Sequence, residues 1–254
     1  MTSPLADKQL VLATDLDGTF LGGSDDARRD FYAWIEANRD RVGLIFVTGR
    51  DPAFITSLTR DKGVPRPAYV VGDVGTTIAQ VAADHTLTPI PALEEEIADA
   101  WDDAGARVRA ALSGAPGLTL QPTDFRYRVS YDLDADRFDP SVRDRMHALG
   151  FDTLVSDNRY FDVLPRGISK GPSLRRLLDY LGVPHARALA AGDTLNDLSM
   201  LTAGLPAVAV GNAEPALRRA LDGHDHVYQA RAHGVEGIAE AIGALRMLDM
   251  HEVL

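Results

Sequence analysis

The chain has 254 residues, with 37 acidic against 26 basic side chains and a formal net charge of −11. This acidic balance argues against nucleic acid or an anionic membrane as a partner. Because cysteine is absent, the chain has no disulfides or thiolate metal sites, and any metal would need oxygen or imidazole ligands. Since Met1 to Lys8 is short and polar and no long apolar span follows, we expect a cytoplasmic protein.

The first predicted strand is the apolar run Leu10 to Ala13, which is followed by Asp15, Asp17 and Gly18. Ligands of α/β sheets bind at the ends of such strands. Side chains alternate along a strand, so both carboxylates can serve one ligand only if the chain leaves strand geometry near Asp17, which Gly18 permits. An acidic turn explains this pair equally well when the pair is considered alone.

The next elements alternate between helix and strand. We predict helices over Asp25–Asp40 and Pro52–Lys62, and strands over Val42–Val47 and Tyr69–Val71. Val47 is followed by Thr48, Gly49 and Arg50, and the helix after them has proline at its first position. The glycine-rich stretch 72–77 fits either a backbone that approaches a ligand or a simple hairpin.

The sequence pattern changes over residues 84–163. We predict the order α-β-β-α-β-β, with helices Leu93–Leu112 and Val142–Leu149 and strands Leu118–Gln121, Phe125–Leu133, Thr153–Val155 and Tyr160–Leu164. In the second strand, Phe125, Tyr127 and Tyr131 share one face, which we expect to pack on helices. Arg126 and Arg128 lie on the other face, where contact with a substrate is expected.

The β/α alternation resumes at Lys170, which begins a helix that ends near Leu181. Strands are predicted at Ala188–Ala191 and Ala207–Val210, and helices at Asp197–Leu201, Glu214–Leu221 and Gly234–Leu248. The strand at 188–191 is followed by Gly-Asp-Thr-Leu-Asn-Asp, residues 192–197. The only close pair of histidines, His224 and His226, is better explained by a surface turn than by a metal site.

Four motifs in this order resemble those of the haloacid dehalogenase superfamily of phosphohydrolases: D-x-D-G-T at 15–19, Thr48 after the second strand, Lys170, and G-D-x-x-N-D at 192–197. The resemblance implies an α/β fold in which a doubly wound Rossmann-like parallel sheet, residues 1–83 and 164–254, carries an inserted α+β cap, residues 84–163. Val129-Ser130-Tyr131 and Asp162-Val163-Leu164-Pro165 are most similar to the sucrose-phosphate phosphatase group.

The residue types point to Mg²⁺, because this ion takes one or two carboxylates together with substrate phosphate oxygens, and Asp15 and Asp193 could supply them. The resemblance adds the main-chain carbonyl of Asp17 and a water-mediated contact from Asp197. It also implies that Asp15 is the nucleophile and Asp17 the general acid and base. The expected binding residues for a phosphorylated sugar are Gly18, Thr48, Gly49, Arg50, Arg126, Arg128, Lys170 and Asn196.

Simpler explanations exist for the individual residues. Thr48 could cap the following helix, Lys170 could be a solvated lysine at a helix start, and Asp193–Asp197 could be an acidic N-terminal turn. The functional interpretation depends on their joint order.

Other functions also use such residues. A phosphoacceptor receiver domain also gathers aspartates, a threonine and a lysine around Mg²⁺, but the order of the motifs in this chain differs from the order in receiver domains. A phosphosugar mutase and a non-catalytic sugar-phosphate sensor are the remaining alternatives. The sequence does not identify the sugar or the oligomeric state.

Overall fold

The computed structural model describes residues 4–156 and 158–248. Its strands are β1 Leu10–Thr14, β2 Val42–Val47, β3 Tyr69–Gly72, β4 Thr77–Val81, β5 Leu87–Pro89, β6 Leu118–Leu120, β7 Val129–Leu133, β8 Phe151–Ser156, β9 Tyr160–Pro165, β10 Ala188–Gly192, β11 Ala207–Ala209 and β12 Val227–Gln229. Its α-helices are α1 Asp25–Ala37, α2 Pro52–Asp61, α3 Pro91–Trp101, α4 Gly105–Ala111, α5 Ser141–Ala148, α6 Lys170–Leu181, α7 Leu198–Leu201, α8 Pro215–Ala220 and α9 Gly234–Ala244. Within the described ranges, no helix is long and apolar enough to cross a membrane.

The chain forms two compact units. The core unit runs as far as Ile90 and resumes at Lys170, and the inserted unit is Pro91–Ser169. The observed boundary lies after the predicted one at residue 84, because β5 pairs with β4 and so belongs to the core sheet. The predicted boundary at 163 falls inside β9, which runs to Pro165 in the sheet of the inserted unit.

The core unit contains an eight-stranded sheet in the order β12-β11-β10-β1-β2-β3-β4-β5. The strands from β12 to β3 are parallel, and β4 and β5 are antiparallel additions at one edge. Leu12 of β1 lies opposite Leu44 of β2 and Leu189 of β10, and all three are fully buried. Apolar runs buried on both faces are typical of a doubly wound parallel sheet, so the predicted fold class is confirmed.

Three strands of the core unit were not predicted. β4 follows a tight turn at Asp73–Gly75 and forms a hairpin with β3, which is the second of the two explanations considered for the glycine-rich stretch. β5 and β12 each have three residues, too few to show a period of two. These short strands are defined by pairing with a neighbour and not by local pattern.

The inserted unit has an antiparallel sheet in the order β6-β7-β9-β8. Apolar side chains of α3, α4 and α5 pack with one face of this sheet to form a separate core. Val129, Tyr131 and Phe161 are among its buried strand residues. The unit therefore has α+β architecture, as predicted.

Two predicted elements of the inserted unit are wrong in extent. The single helix over Leu93–Leu112 is two helices, because Asp102 and Asp103 have φ angles of 49° and 48° and end α3. The strand predicted over Phe125–Leu133 begins at Val129, since the pairing of β7 with β9 begins there and its pairing with β6 begins only at Tyr131. Without a neighbouring strand, the alternation of residues 125–128 is not enough to form a strand.

Candidate active site

The functional motifs of the core unit follow three adjacent strands. β1 lies between β10 and β2, and all three are parallel, so their carboxyl ends lie at one edge of the sheet. Asp15 follows β1, Thr48 follows β2 and Asp193 follows β10. The fold thus brings together three motifs that are far apart in the sequence.

The chain leaves β1 in a kinked turn over Leu16–Phe20, in which Asp17 and Gly18 have non-helical backbone angles and Gly18 has a φ of 79°. A Cβ atom at Gly18 would lie 2.1 Å from Oδ2 of Asp193, so a side chain would displace this carboxylate. Both the left-handed backbone and the close approach therefore require glycine. The predicted departure from strand geometry near Asp17 is confirmed.

Lys170, the first residue of α6, is fully buried. Its ammonium group donates hydrogen bonds to Oδ1 of Asp15 at 2.6 Å, Oδ1 of Asp197 at 2.7 Å and Oδ1 of Asn196 at 2.9 Å. Burial opposes its charge, but Asp15 and Asp197 outweigh that effect and raise the pKa of Lys170 above its usual value. The explanation of Lys170 as a solvated helix-start residue is therefore wrong.

Asp197 organises the loop that follows β10. Its Oδ2 accepts hydrogen bonds from the backbone N–H groups of Asp193 and Thr194, both at 3.0 Å, while its Oδ1 faces Lys170. A Cβ atom at Gly192 would lie 2.5 Å from Cβ of Asp197, which explains the glycine at this position. The acidic turn considered from the sequence is present, and the same carboxylate also contributes to the buried polar cluster.

Asp15, Asp193 and Asp197 are buried and offer carboxylate oxygens within 4.8 Å of one another. Burial raises the pKa of Asp15 to about 8, with Lys170 opposing this rise, and burial raises that of Asp193 to about 7. Two of the three carboxylates, those of Asp15 and Asp197, accept from Lys170, and a divalent cation would favour the ionised forms of all three. Oxygen donors with excess negative charge fit the hard ion Mg²⁺.

The side chain of Asp17 points to a different partner. Its two carboxylate oxygens accept from Nε and Nη2 of Arg50, at 2.8 and 3.1 Å, and both side chains are about half exposed. Among the described residues, Asp17 is not part of the carboxylate cluster. The predicted role of Asp17 as general acid and base stays a prediction. The predicted role of the Asp17 main-chain carbonyl as a ligand stays a prediction.

Thr48 is buried, and its hydroxyl oxygen accepts from the backbone N–H of Arg50 at 3.1 Å. The residue that caps α2 is Asp51, whose side chain accepts from the N–H of Phe54 at 2.9 Å. The explanation of Thr48 as a helix cap is therefore wrong. Its hydroxyl fixes the turn Thr48-Gly49-Arg50 and retains its own proton for another acceptor.

Sequence reasoning missed two polar residues in this region. Thr19 donates from Oγ1 to Oδ1 of Asp193 at 2.7 Å. Asn212 donates from Nδ2 to the carbonyl oxygen of Gly18 at 2.9 Å and contacts Oδ2 of Asp193 at 3.4 Å. Thr19 lies within the first motif and could have been chosen from it. Asn212 follows the predicted strand 207–210, but no pattern in the sequence relates it to Asp193.

The basic residues predicted in the inserted unit have acidic partners there. Arg126 forms an ion pair with Glu94, and its guanidinium lies 5.1 Å from the ring centroid of Tyr127. Arg128 is buried, donates to Oδ1 of Asp162 at 3.0 Å, and lies 3.6 Å above the ring centroid of Phe125. Contact of Arg126 and Arg128 with a substrate stays a prediction.

Related proteins have names that refer to sugar phosphates. Glucosylglycerol-phosphate synthase of Pseudomonas anguilliseptica is 37% identical over 233 residues, which are 91% of this chain but only 30% of that protein. Mannosylfructose-phosphate phosphatase of Agrobacterium fabrum is 26% identical over 91% of this chain and 95% of its own length. A probable sucrose-phosphatase of Arabidopsis thaliana is 28% identical over 97% of this chain and 61% of its own length.

The fold is also that of known phosphatases. The sucrose-phosphatase of Synechocystis, solved with sucrose and phosphate, superposes with a TM-score of 0.83 at 24% identity and covers 94% of this chain and 98% of its own. Residues 8–246 match the family described as sucrose-6F-phosphate phosphohydrolase. The chain therefore belongs to the sucrose-6F-phosphate phosphohydrolase family of the haloacid dehalogenase superfamily.

Proposed function

We propose that this chain is a Mg²⁺-dependent phosphatase that hydrolyses a phosphorylated sugar through an aspartyl-phosphate on Asp15. The observation that carries the proposal is the fully buried Lys170, which contacts Asp15 and Asp197 within a cluster of three carboxylates. Uncatalysed phosphate monoester hydrolysis is so slow that enzymes accelerate it by up to roughly 10²¹-fold. A site that acts on such a dianion needs a fixed nucleophile and concentrated positive charge.

The first chemical step is attack by a carboxylate oxygen of Asp15 on phosphorus, which breaks the bond to the sugar oxygen. Asp17 gives its proton to that oxygen as it leaves. Arg50 donates to both oxygens of Asp17 in this structure, and the ion pair must open when the substrate binds so that the protonated carboxyl can donate to the sugar oxygen. Lys170 and the hydroxyl of Thr48 stabilise the phosphoryl oxygens. Asp17, now ionised, then takes a proton from the water that hydrolyses the aspartyl-phosphate.

Asp15, Asp193, Asp197 and the main-chain carbonyl of Asp17 are the groups that would hold Mg²⁺. When bound, the ion removes the repulsion between the carboxylate of Asp15 and the phosphate and favours the ionised nucleophile. Burial, together with the charges of Asp197 and Asp193, raises the pKa of Asp15 to about 8 although Lys170 opposes the rise, against the requirement for an ionised nucleophile. This opposition is the reason why we expect activity to depend on the metal.

The names of the relatives indicate a class of substrate. Three of them refer to glucosylglycerol phosphate, mannosylfructose phosphate and sucrose phosphate, each of which is a glycoside that carries one phosphate. Other relatives are named phosphoglycolate phosphatases, which would act on a much smaller acid. We therefore propose a phosphorylated glycoside as the substrate.

A phosphate-release assay on four substrates in the presence of Mg²⁺ tests this proposal. The substrates are sucrose 6-phosphate, mannosylfructose phosphate, glucosylglycerol phosphate and phosphoglycolate, with Asp15→Asn as the control for contaminating phosphatases. The expected result is the highest kcat/KM for one of the glycosides. Preference for phosphoglycolate would overturn the substrate class. Return of phosphate to the sugar would identify a mutase, and binding without turnover would identify a sensor.

A further inference from the structure

Asn212 lies in the loop between β11 and α8, next to the loop that carries Asp193. The two loops are adjacent because β11 pairs with β10, with Ala209 opposite Gly192. Two backbone hydrogen bonds join them, from the N–H of Val210 to Gly192 at 3.2 Å and from the N–H of Glu214 to Asp193 at 2.8 Å. The backbone on both sides of Asn212 is therefore fixed relative to Asp193.

The side chain of Asn212 joins three segments of the core unit. Its Nδ2 donates to the carbonyl oxygen of Gly18 at 2.9 Å and lies 3.4 Å from Oδ2 of Asp193, while its Oδ1 accepts from the N–H of Gly234 at 2.9 Å. Gly234 is the first residue of α9. A primary amide has two donors and one carbonyl acceptor, so all its polar groups have partners here.

Asn212 and Thr19 contact different oxygens of the Asp193 carboxylate. Thr19 donates to Oδ1 at 2.7 Å, and Nδ2 of Asn212 faces Oδ2. Hydrogen-bond donors at both oxygens oppose rotation of the carboxylate about the Cβ–Cγ bond. Groups that hold a ligand's direction in this way typically change metal affinity by about 10- to 100-fold when they are removed.

The contact with Gly18 acts on the loop after β1. Gly18 has a φ of 79°, and a Cβ atom there would lie 2.1 Å from Oδ2 of Asp193. The hydrogen bond from Asn212 to the carbonyl oxygen of Gly18 holds the peptide that follows Gly18 in this position. Asn212 thus acts on Asp193, one of the groups assigned to the metal, and on the loop that carries Asp17, although it is not itself placed among the ligands.

We propose that Asn212 is a positioning residue for the magnesium site: its amide holds Asp193 and the loop at Gly18 in the arrangement that binds the ion. The proposal rests on the proposed function, because it requires that Mg²⁺ bind to Asp15 and Asp193. It concerns the affinity for the metal and assigns Asn212 no contact with the substrate.

The test is titration calorimetry of Mg²⁺ into the full chain after removal of metal, without substrate. Asn212→Ala is expected to raise the dissociation constant about 10- to 100-fold. The matched control is Asn38→Ala, since Asn38 also donates its amide to a backbone carbonyl, that of Trp34 at 2.9 Å, but at the end of α1. Its affinity for Mg²⁺ is expected to equal that of the wild type.

A residue that only supports the fold would give a different result. Asn212→Ala would then lower the Tm of the metal-free protein and leave the Mg²⁺ affinity unchanged, which would overturn the proposal. If Asn212→Ala does not fold, Asn212→Gln decides the question, because it keeps the amide but moves it by one methylene. Wild-type affinity in Asn212→Gln would also overturn the proposal, whereas weakened binding would support it.

The same titration separates this inference from the proposed function. If the wild-type chain binds no Mg²⁺, the magnesium site and the proposed function both fail. If the wild type and Asn212→Ala bind Mg²⁺ equally, only the role of Asn212 fails.

Discussion

Each of the two units contains a buried cluster of charged side chains, and the two clusters differ in their charge balance. In the inserted unit, the buried Arg128 pairs with Asp162, to which Ser130 also donates. In the core unit, Lys170 pairs with Asp15 and Asp197, and Asp193 brings the cluster to three carboxylates.

We interpret this difference as the difference between a structural ion pair and the proposed magnesium site. Moving two charges out of water costs free energy, and the attraction between arginine and aspartate offsets part of that cost. In the core unit three carboxylates share one lysine, and burial, with the nearby Asp197, raises the pKa of Asp193 to about 7. An excess of buried charge of one sign indicates that a ligand of the opposite sign completes the site. The following predictions test this comparison.

Replacement of the nucleophile is expected to have the largest effect. Asp15→Asn keeps the shape of the side chain but cannot form an aspartyl-phosphate, so turnover should fall by about 10⁶-fold or to background. The measurements are phosphate release and intact mass after incubation with p-nitrophenyl phosphate. Asp51→Asn, which makes the same change at the cap of α2, is the control and should remain active.

Removal of metal should abolish activity without unfolding the protein. The core cluster needs a cation to favour ionised Asp15, whereas the pair in the inserted unit needs none. Excess chelator should therefore stop phosphate release, and Mg²⁺ should restore it. Ca²⁺ should inhibit, because its six to eight ligands and looser geometry suit in-line attack poorly. Full activity in chelator would contradict the assignment of the acidic cluster.

Asp17→Asn should slow turnover by about 10²- to 10⁴-fold, the usual contribution of a general acid or base. The leaving group of p-nitrophenyl phosphate needs little protonation, so attack by Asp15 should proceed while hydrolysis is slowed. We expect covalent phosphate to accumulate, as detected by intact mass and mapped by peptide mass spectrometry. An adduct on any residue other than Asp15, or turnover near that of the wild type, would refute these roles.

The pair in the inserted unit should behave as a balanced structural element. Arg128→Met alone leaves Asp162 buried without its partner and should lower the free energy of unfolding by about 3 to 5 kcal/mol. The double change Arg128→Met with Asp162→Leu should restore most of that stability, as measured by urea denaturation. A double variant as unstable as the single one would show that the loss of stability does not come from leaving Asp162 without its partner.

The smallest expected effect is at Arg126, whose side chain is about half exposed. If Arg126 contacts the sugar, Arg126→Ala should raise KM for the phosphorylated glycoside about fivefold, the equivalent of about 1 kcal/mol. KM for p-nitrophenyl phosphate should not change. Arg107→Ala is the matched control, because Arg107 is an exposed arginine of the same unit and is paired with Asp102 at 3.2 Å. An equal KM for the glycoside in both variants would exclude this contact.

The sequence alone determined the central parallel strands of the core sheet, although the edge strands β4, β5 and β12 were not predicted. The central strands are continuous apolar runs such as Val42–Val47, and this local pattern is enough because the strands are buried on both faces. The motif residues Asp15, Thr48, Lys170 and Asp193 could be named because each follows or begins such an element.

Only the tertiary structure decided the partners of these residues and the extent of the weaker elements. The strand predicted at Phe125–Leu133 begins at Val129 because pairing with β9 begins there, and a strand is defined by its neighbours. The pairing of Asp17 with Arg50 and the position of Asn212 beside Asp193 join residues distant in sequence. Hydrophobic periodicity is a local property and specifies which face is buried, whereas a hydrogen bond between two loops depends on how the strands before them are ordered in the sheet.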